Sequence, residues 1–149
     1  MKTSPRGIQL IKNLEGYRES PYICAGGKLT IGYGHVLGPV ERLTLKKVSR
    51  DQAAALLLRD LVSREKAVDD AVKVPINQNQ FDALCSFVYN LGEASFRQST
   101  LLRKLNARDY CGAAEEFHRW NKAGKPPRPV VGLTSRRARE RALFLEVVP

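Results

Sequence analysis

Ile8, Ile11 and Leu14, with Leu10 beside them, place apolar side chains at helical spacing directly behind Ser4-Pro5. That pair suits an N-cap and a first helical position, so a helix is predicted here. Gly16 ends it and leaves Glu15 on its last turn. Over residues 17–43 the pattern changes. Short apolar pieces, Pro21-Tyr22-Ile23 and Leu29-Thr30-Ile31, alternate with Gly26-Gly27, Gly32, Gly34 and Gly38. This predicts a small antiparallel sheet with tight turns. Helical periodicity returns at Ser49-x-x-Gln52, which has the form of a capping box, and Ala53, Leu57 and Leu61 carry it to about Val72. Such a segment is ~35 Å long at 1.5 Å per residue, long enough to connect two lobes.

Pro75 and Asn77 open the next helix. Phe81, Leu84, Cys85, Val88 and Leu91 keep the i, i+3, i+4, i+7 rule, and Ala83 and Phe87 add apolar bulk on other sides. A helix with apolar residues on most sides is expected at the centre of the domain, stopped by Gly92. Shorter helices are predicted near Thr100–Asn106 and Asp109–Trp120. The segment 122–131 holds Gly124 and three prolines and reads as an ordered, non-helical loop. Thr134 is expected to open a last, basic helix through about Glu146. The fold class is therefore α+β and mostly helical, a single domain over 1–149. Its small β lobe is 17–43, its helical lobe 1–16 with 73–149, and its connecting helix 49–72.

With 43% hydrophobic residues over 149 positions, the chain can bury a real core. No apolar stretch approaches the roughly 18 residues of a membrane span. MKTSPRGIQL has no long apolar region, so neither a signal peptide nor a signal-anchor is expected. Cys24, Cys85 and Cys111 make no paired framework and no CxxC, which fits a reducing compartment. His35 and His118 lie outside any ligand-spaced cluster, so no metal or cofactor is expected. Cys85 and Cys111 read as buried packing residues. The net charge of +10 calls for an anionic partner, whether nucleic acid, lipopolysaccharide or cell wall.

Candidate chemistry concentrates in Glu15-x8-Cys24-x5-Thr30. A carboxylic acid, a thiol and a hydroxyl stand at short spacing around a glycine-punctuated turn. Glu15 at a helix C-terminus, beside an apolar stripe, is placed where both the dipole and desolvation favour the protonated acid. A hydrolytic site needs such a proton donor. Cys24 stands where a carboxylate would be simpler, and a free thiol is only a few per cent ionised at neutral pH. To supply negative charge it must be shifted down, with Arg18 or Arg137 as candidate causes. Thr30 offers a hydroxyl to hold water or a substrate group.

Several further motifs occur in order. They are Leu14-Glu15-Gly16 with Tyr22, then Thr30-Ile31-Gly32-Tyr33-Gly34-His35, Asn79-Gln80-Phe81-Asp82-Ala83-Leu84 and Ser86-Phe87-Val88-Tyr89-Asn90-Leu91-Gly92. Phe96–Leu102, Trp120-Asn121-Lys122-Ala123-Gly124 and Gly132-Leu133-Thr134-x-Arg136-Arg137 complete the set. Over nearly the whole chain these residues resemble the phage-type lysozymes, the endolysins of glycoside hydrolase family 24, in the version with Cys in the Glu-x8-(Asp or Cys)-x5-Thr pattern. The resemblance implies a lysozyme-like fold and hydrolysis of the β-1,4 bond between N-acetylmuramic acid and N-acetylglucosamine in peptidoglycan. It implies Glu15, Cys24 and Thr30 as catalytic residues, with Arg137, Tyr22 and His35 binding substrate or orienting the site. Arg137 is expected to pair with Glu15, with Arg136 as the alternative, and His35 to serve structure rather than proton transfer.

In an inverting reaction the acid and base stand about 6.5–9.5 Å apart, whereas a Cys nucleophile would allow retention. The basic surface then serves attraction to an anionic envelope, and a monomer is expected. The protein would wait in the host cytoplasm until a membrane lesion admits it to the wall. Two other readings are a basic nucleic-acid-binding domain and a wall-binding homologue with impaired catalysis. The first lacks any nucleic-acid-binding motif, and the second must discount Glu15 and Thr30.

Overall fold

The computed structural model describes Met1–Val148 and divides into two compact units, Gln9–Val62 and Met1–Ile8 with Ser63 onward. Both divisions fall inside helices, α1 (Pro5–Glu15) and α3 (Arg50–Ala71).

In the Gln9–Val62 unit, the end of α1 buries Ile11 completely. Gly16 then takes φ +73°, a left-handed conformation that glycine adopts at little cost, while its N–H donates to the Lys12 carbonyl at 2.9 Å. The chain turns directly into β1 (Arg18–Ile23), which pairs antiparallel with β2 (Leu29–Gly32); β2 in turn pairs with β3 (His35–Val36). Gly32 has φ +66°, and a Cβ there would stand 3.0 Å from the Cβ of Ala53 on α3, so this position requires glycine on two counts. Ile31, Leu37, Val48, Ala53, Leu57 and Leu61 form the core of this unit. Tyr17 ties the sheet to the start of α3. Its hydroxyl donates to the Val48 carbonyl at 2.6 Å, and the Arg50 guanidinium lies 4.4 Å over its ring. A one-turn helix, α2 (Glu41–Thr44), has no counterpart in the hydrophobic pattern, because all four of its residues stay out of the core.

The second unit is helical. Asn77 and Gln80 cap each other at the start of α4 (Gln78–Leu91), which buries Phe81, Leu84, Cys85, Phe87 and Val88 and packs on α8 (Val131–Leu145). Phe87 is the centre of an aromatic cluster, meeting Phe96, Phe117 and Trp120 edge-on at 6.2, 5.5 and 5.7 Å between ring centroids. Each such buried ring contributes about 1.5–3 kcal/mol relative to exposure, which makes α4 the main apolar anchor of the unit. Between α4 and α8 run α5 (Glu93–Gln98), α6 (Thr100–Asn106), α7 (Tyr110–Glu116) and a 3-10 turn, Phe117–Arg119.

Several elements differ from the sequence pattern. α5 follows Gly92 with only Phe96 buried, so it carries no stripe to reveal it. The helix expected over Asp109–Trp120 tightens after Glu116, where Phe117 turns inward to the cluster. The loop after Trp120 contains a two-stranded ribbon, β4 (Lys122–Ala123) with β5 (Arg128–Pro129). α8 begins at Val131, so Thr134 lies inside its first turn rather than before it. Cys85 is buried as expected, but Cys111 is exposed. It falls on the outer side of α7, whose inward positions are Ala113, Ala114 and Glu116.

Polar groups also enter the core of this unit. Arg137 and Glu140 are fully buried and paired at 2.9 Å, while Ser86 donates to Glu140 Oε2 at 2.6 Å. Burial pushes the Glu140 carboxyl upward, opposed by Arg137, Arg136 and Ser86. Among the described residues no helix is long and apolar enough to cross a membrane.

Candidate active site

The Gln9–Val62 unit brings five of the six expected site residues into one short stretch of structure. Tyr22 on β1 stands opposite Thr30 on β2, and directly opposed residues of an antiparallel pair share a face. Cys24 follows Tyr22 by two positions, which returns its side chain to that face. The strand pairing continues past Ile23. The Cys24 amide donates to the Lys28 carbonyl at 3.0 Å, and the Gly27 amide closes the turn onto the Cys24 carbonyl at 2.8 Å. Tyr22, Cys24 and Thr30 thus occupy one face of a tightly closed ribbon.

Thr30 is buried, and its Oγ1 donates to the Lys28 carbonyl at 2.9 Å. Cys24 is half-buried. Burial pushes its thiol up, but the Thr30 hydroxyl and the amides of Lys28, Gly26 and Cys24 itself more than offset this and hold it below the ordinary thiol range. The arginines proposed from sequence for this role are not among the main causes of the shift. Arg18 lies 4.4 Å over the Tyr22 ring, and Arg137 faces Glu140 at 2.9 Å, Asn90 Oδ1 at 2.6 Å and the Phe87 ring at 5.1 Å. A turn rich in backbone N–H groups and a hydroxyl lowers the thiol without any full positive charge.

Glu15 is half-buried at the end of α1, and its charge reaches Tyr22. Burial pushes the Tyr22 phenol up, and the negative charges of Glu15 and Cys24 push the same way against Arg18. Tyr22 is therefore a neutral hydroxyl at neutral pH.

His35 is held on both sides. Its Nδ1 meets Asp60 Oδ2 at 2.8 Å, and its Nε2 meets the two Glu41 oxygens at 3.1 and 3.0 Å. The hydrogen bond to Asp60 is the main cause of an upward shift of the imidazole. Glu41 is in turn fixed by the Gly38 amide at 2.9 Å. This arrangement joins β3, α2 and α3 and leaves neither ring nitrogen open to a substrate. Asp60 and Glu41 escaped the sequence reading because nothing in their local pattern marks them. Only the six-residue step from His35 to Glu41 hints at a local pair.

A cavity of about 380 Å³ in the helical unit is lined by Asn77, Gln80, Tyr110, Phe144 and neighbouring residues. No expected site residue lines it, and it carries none of this chemistry. Among the described residues no group of His, Cys, Asp and Glu is arranged to hold a metal ion.

A mostly helical α+β fold, with an acid at a helix end beside a small antiparallel ribbon, defines the lysozyme class of glycosidases. The family described as Phage lysozyme matches residues 12–140. An endolysin of Acyrthosiphon pisum secondary endosymbiont phage 1 is 43% identical, with 97% of this chain and 98% of that protein aligned. The endolysin of Salmonella phage P22 is also 43% identical, over 97% and 99%. Among solved structures, the muramidase domain of SpmX from Asticaccaulis excentricus superposes with a TM-score of 0.89 at 37% identity, covering 98% of this chain and 99% of that one. The chain belongs to the phage lysozyme family. Its function is that of an endolysin, a glycoside hydrolase that degrades peptidoglycan.

Proposed function

We propose that the protein cleaves the β-1,4 bond between N-acetylmuramic acid and N-acetylglucosamine, with Glu15 as the general acid. The observation that carries this reading is the shared face of Tyr22, Cys24 and Thr30 on the ribbon that directly follows Glu15 at the end of α1. Glu15 gives its proton to the glycosidic oxygen as the bond breaks and positive charge develops on the sugar. Cys24, held below the ordinary thiol range, supplies the opposing negative group, either as a base for water or as a nucleophile. Thr30 completes the polar surface, and the Tyr22 phenol offers a neutral donor and acceptor to the sugar. His35 acts as a brace for the sheet.

Arg137 belongs to the other unit, held by Glu140 and Asn90. The expectation that it orients Glu15 rests on the family resemblance alone. The protein works as a monomer, and its positive charge draws it to the anionic envelope. It is held in the host cytoplasm until a membrane lesion exposes the wall. The test is product analysis on purified peptidoglycan. A new reducing end on N-acetylmuramic acid supports the assignment, and one on N-acetylglucosamine refutes it. The anomeric form of the first product separates Cys24 as base, with inversion, from Cys24 as nucleophile, with retention.

A further inference from the structure

β1 does not run straight from Arg18 to Tyr22. Arg18 pairs with Gly32 and Tyr22 with Thr30, so Glu19, Ser20 and Pro21 stand against Ile31 alone. Such a bulge breaks strand alternation and re-aims a side chain, which is why bulges recur beside active sites. This one is tied down from α3's side of the unit: the Glu19 carbonyl accepts from the Val48 amide at 3.0 Å, and the Glu19 carboxylate faces Lys47 at 3.6 Å. The Arg18 guanidinium comes to rest 4.4 Å over the Tyr22 ring. It thereby joins the side of the ribbon on which Tyr22 stands opposite Thr30.

That contact fixes what the guanidinium can do. One flat side lies on the ring, where a cation is attracted by the π electrons. The in-plane N–H donors remain, a rigid fork whose geometry matches a carboxylate and which loses little freedom on closing over one. Arg18 is exposed, and among the described residues no carboxylate pairs with it. Exposed arginines elsewhere differ in this respect: Arg6 is paired with Glu146, Arg97 with Glu93 and Arg141 with Glu115. The nearest acid in sequence, Glu19, is turned to Lys47 instead.

We infer that Arg18 is a substrate contact and a specificity determinant, its Tyr22-stacked guanidinium taking a carboxylate carried by N-acetylmuramic acid, on the lactyl group or on the peptide attached to it. The inference rests on the reading of peptidoglycan as the substrate cleaved on this face. N-acetylated sugars have no charge of their own, so these carboxylates are what separates the wall from a neutral glycan. A role through Glu15 or Cys24 is the competing explanation, and it would alter the chemical step on every substrate alike.

The test compares kcat/KM of the wild type and Arg18→Gln on three forms of soluble peptidoglycan strands. One is native, one has its carboxyls converted to amides, and one is stripped of peptides by an amidase, which frees the lactyl carboxylates. On native strands Arg18→Gln should lose about ten-fold, the loss of a charge-assisted hydrogen bond, mostly in KM. On amidated strands the wild type should itself fall about ten-fold, and the variant should match it within about two-fold. Stripped strands locate the carboxylate: a persisting loss assigns it to the lactyl group, and a vanished loss assigns it to the peptide. Equal losses in Arg18→Gln on native and amidated strands overturn the inference, as does one shift of the pH profile common to both. So does a wild type indifferent to amidation, a comparison that needs no variant and stands whatever the melting temperature of Arg18→Gln. Failure of the substrate reading is distinct: the wild type would then release no new N-acetylmuramic acid ends from native strands.

Discussion

His35 and Asp60, 25 positions apart in sequence, are joined Nδ1 to Oδ2 at 2.8 Å. With Glu41 on the other ring nitrogen, the imidazole is flanked by two carboxylates and favours its doubly protonated form. The His35 value in the folded protein is raised, so its contribution to stability is complete below the unfolded value near 6.5. It is lost as pH rises through the folded value. Glu41 is lowered, chiefly by the Gly38 amide, so its contribution is complete above the ordinary glutamate value and lost as pH falls. His35→Asn should therefore cost most between these limits, about 1–3 kcal/mol. The difference in melting temperature from wild type should shrink at alkaline pH. A difference that is constant with pH would show that the brace is not ionic.

The buried Glu140 offers a second test, confined to the helical unit. It faces Arg137 at 2.9 Å and Arg136 at 3.5 Å, and it accepts from Ser86. Glu140→Gln removes a carboxylate from two buried cations and should cost about 3–5 kcal/mol. Ser86→Ala removes one donor and should cost about 1–3 kcal/mol. Urea unfolding midpoints would rank the two, and equal losses would contradict a charge-centred cluster.

Helix caps and apolar stripes were legible in the sequence because they act over three or four residues. Ser49 and Gln52 cap each other at 2.8 and 3.1 Å, and Asn77 does the same with Gln80. Gly16 ends α1 where its conformational freedom is needed. The close placement of Tyr22, Cys24 and Thr30 follows from strand alternation around a short turn. Partnerships across long separations were not legible. Asp60 reaches His35, and Glu140 reaches Ser86, only after the chain has folded. Cys111 and the short helices α2 and α5 were misread or missed because so few of their side chains enter the core that no periodic signal exists.

Cys24 is where the site departs from a pair of carboxylates. Cys24→Asp should remain active on cell walls at neutral pH, since a carboxylate supplies the negative charge directly. Cys24→Ala should lose on the order of a hundred-fold or more. Hydrolysis of walls by Cys24→Ala at the wild-type rate would remove the thiol from the mechanism.

The net charge of +10 predicts a salt-dependent approach to the envelope. Clearing of permeabilised cells should slow as ionic strength rises past that at which the screening length is about 8–10 Å. Cleavage of a short, neutral glycan fragment should change little over the same range. Equal salt sensitivity on both substrates would place the effect in the site rather than on the surface.

The central claim is that Glu15 is the proton donor. The direct measurement is hydrolysis of purified peptidoglycan by Glu15→Gln, with its fold verified by circular dichroism. Loss of a general acid should lower the rate by about 10²–10⁴-fold while wall binding persists. Wild-type hydrolysis by a folded Glu15→Gln protein would contradict the account.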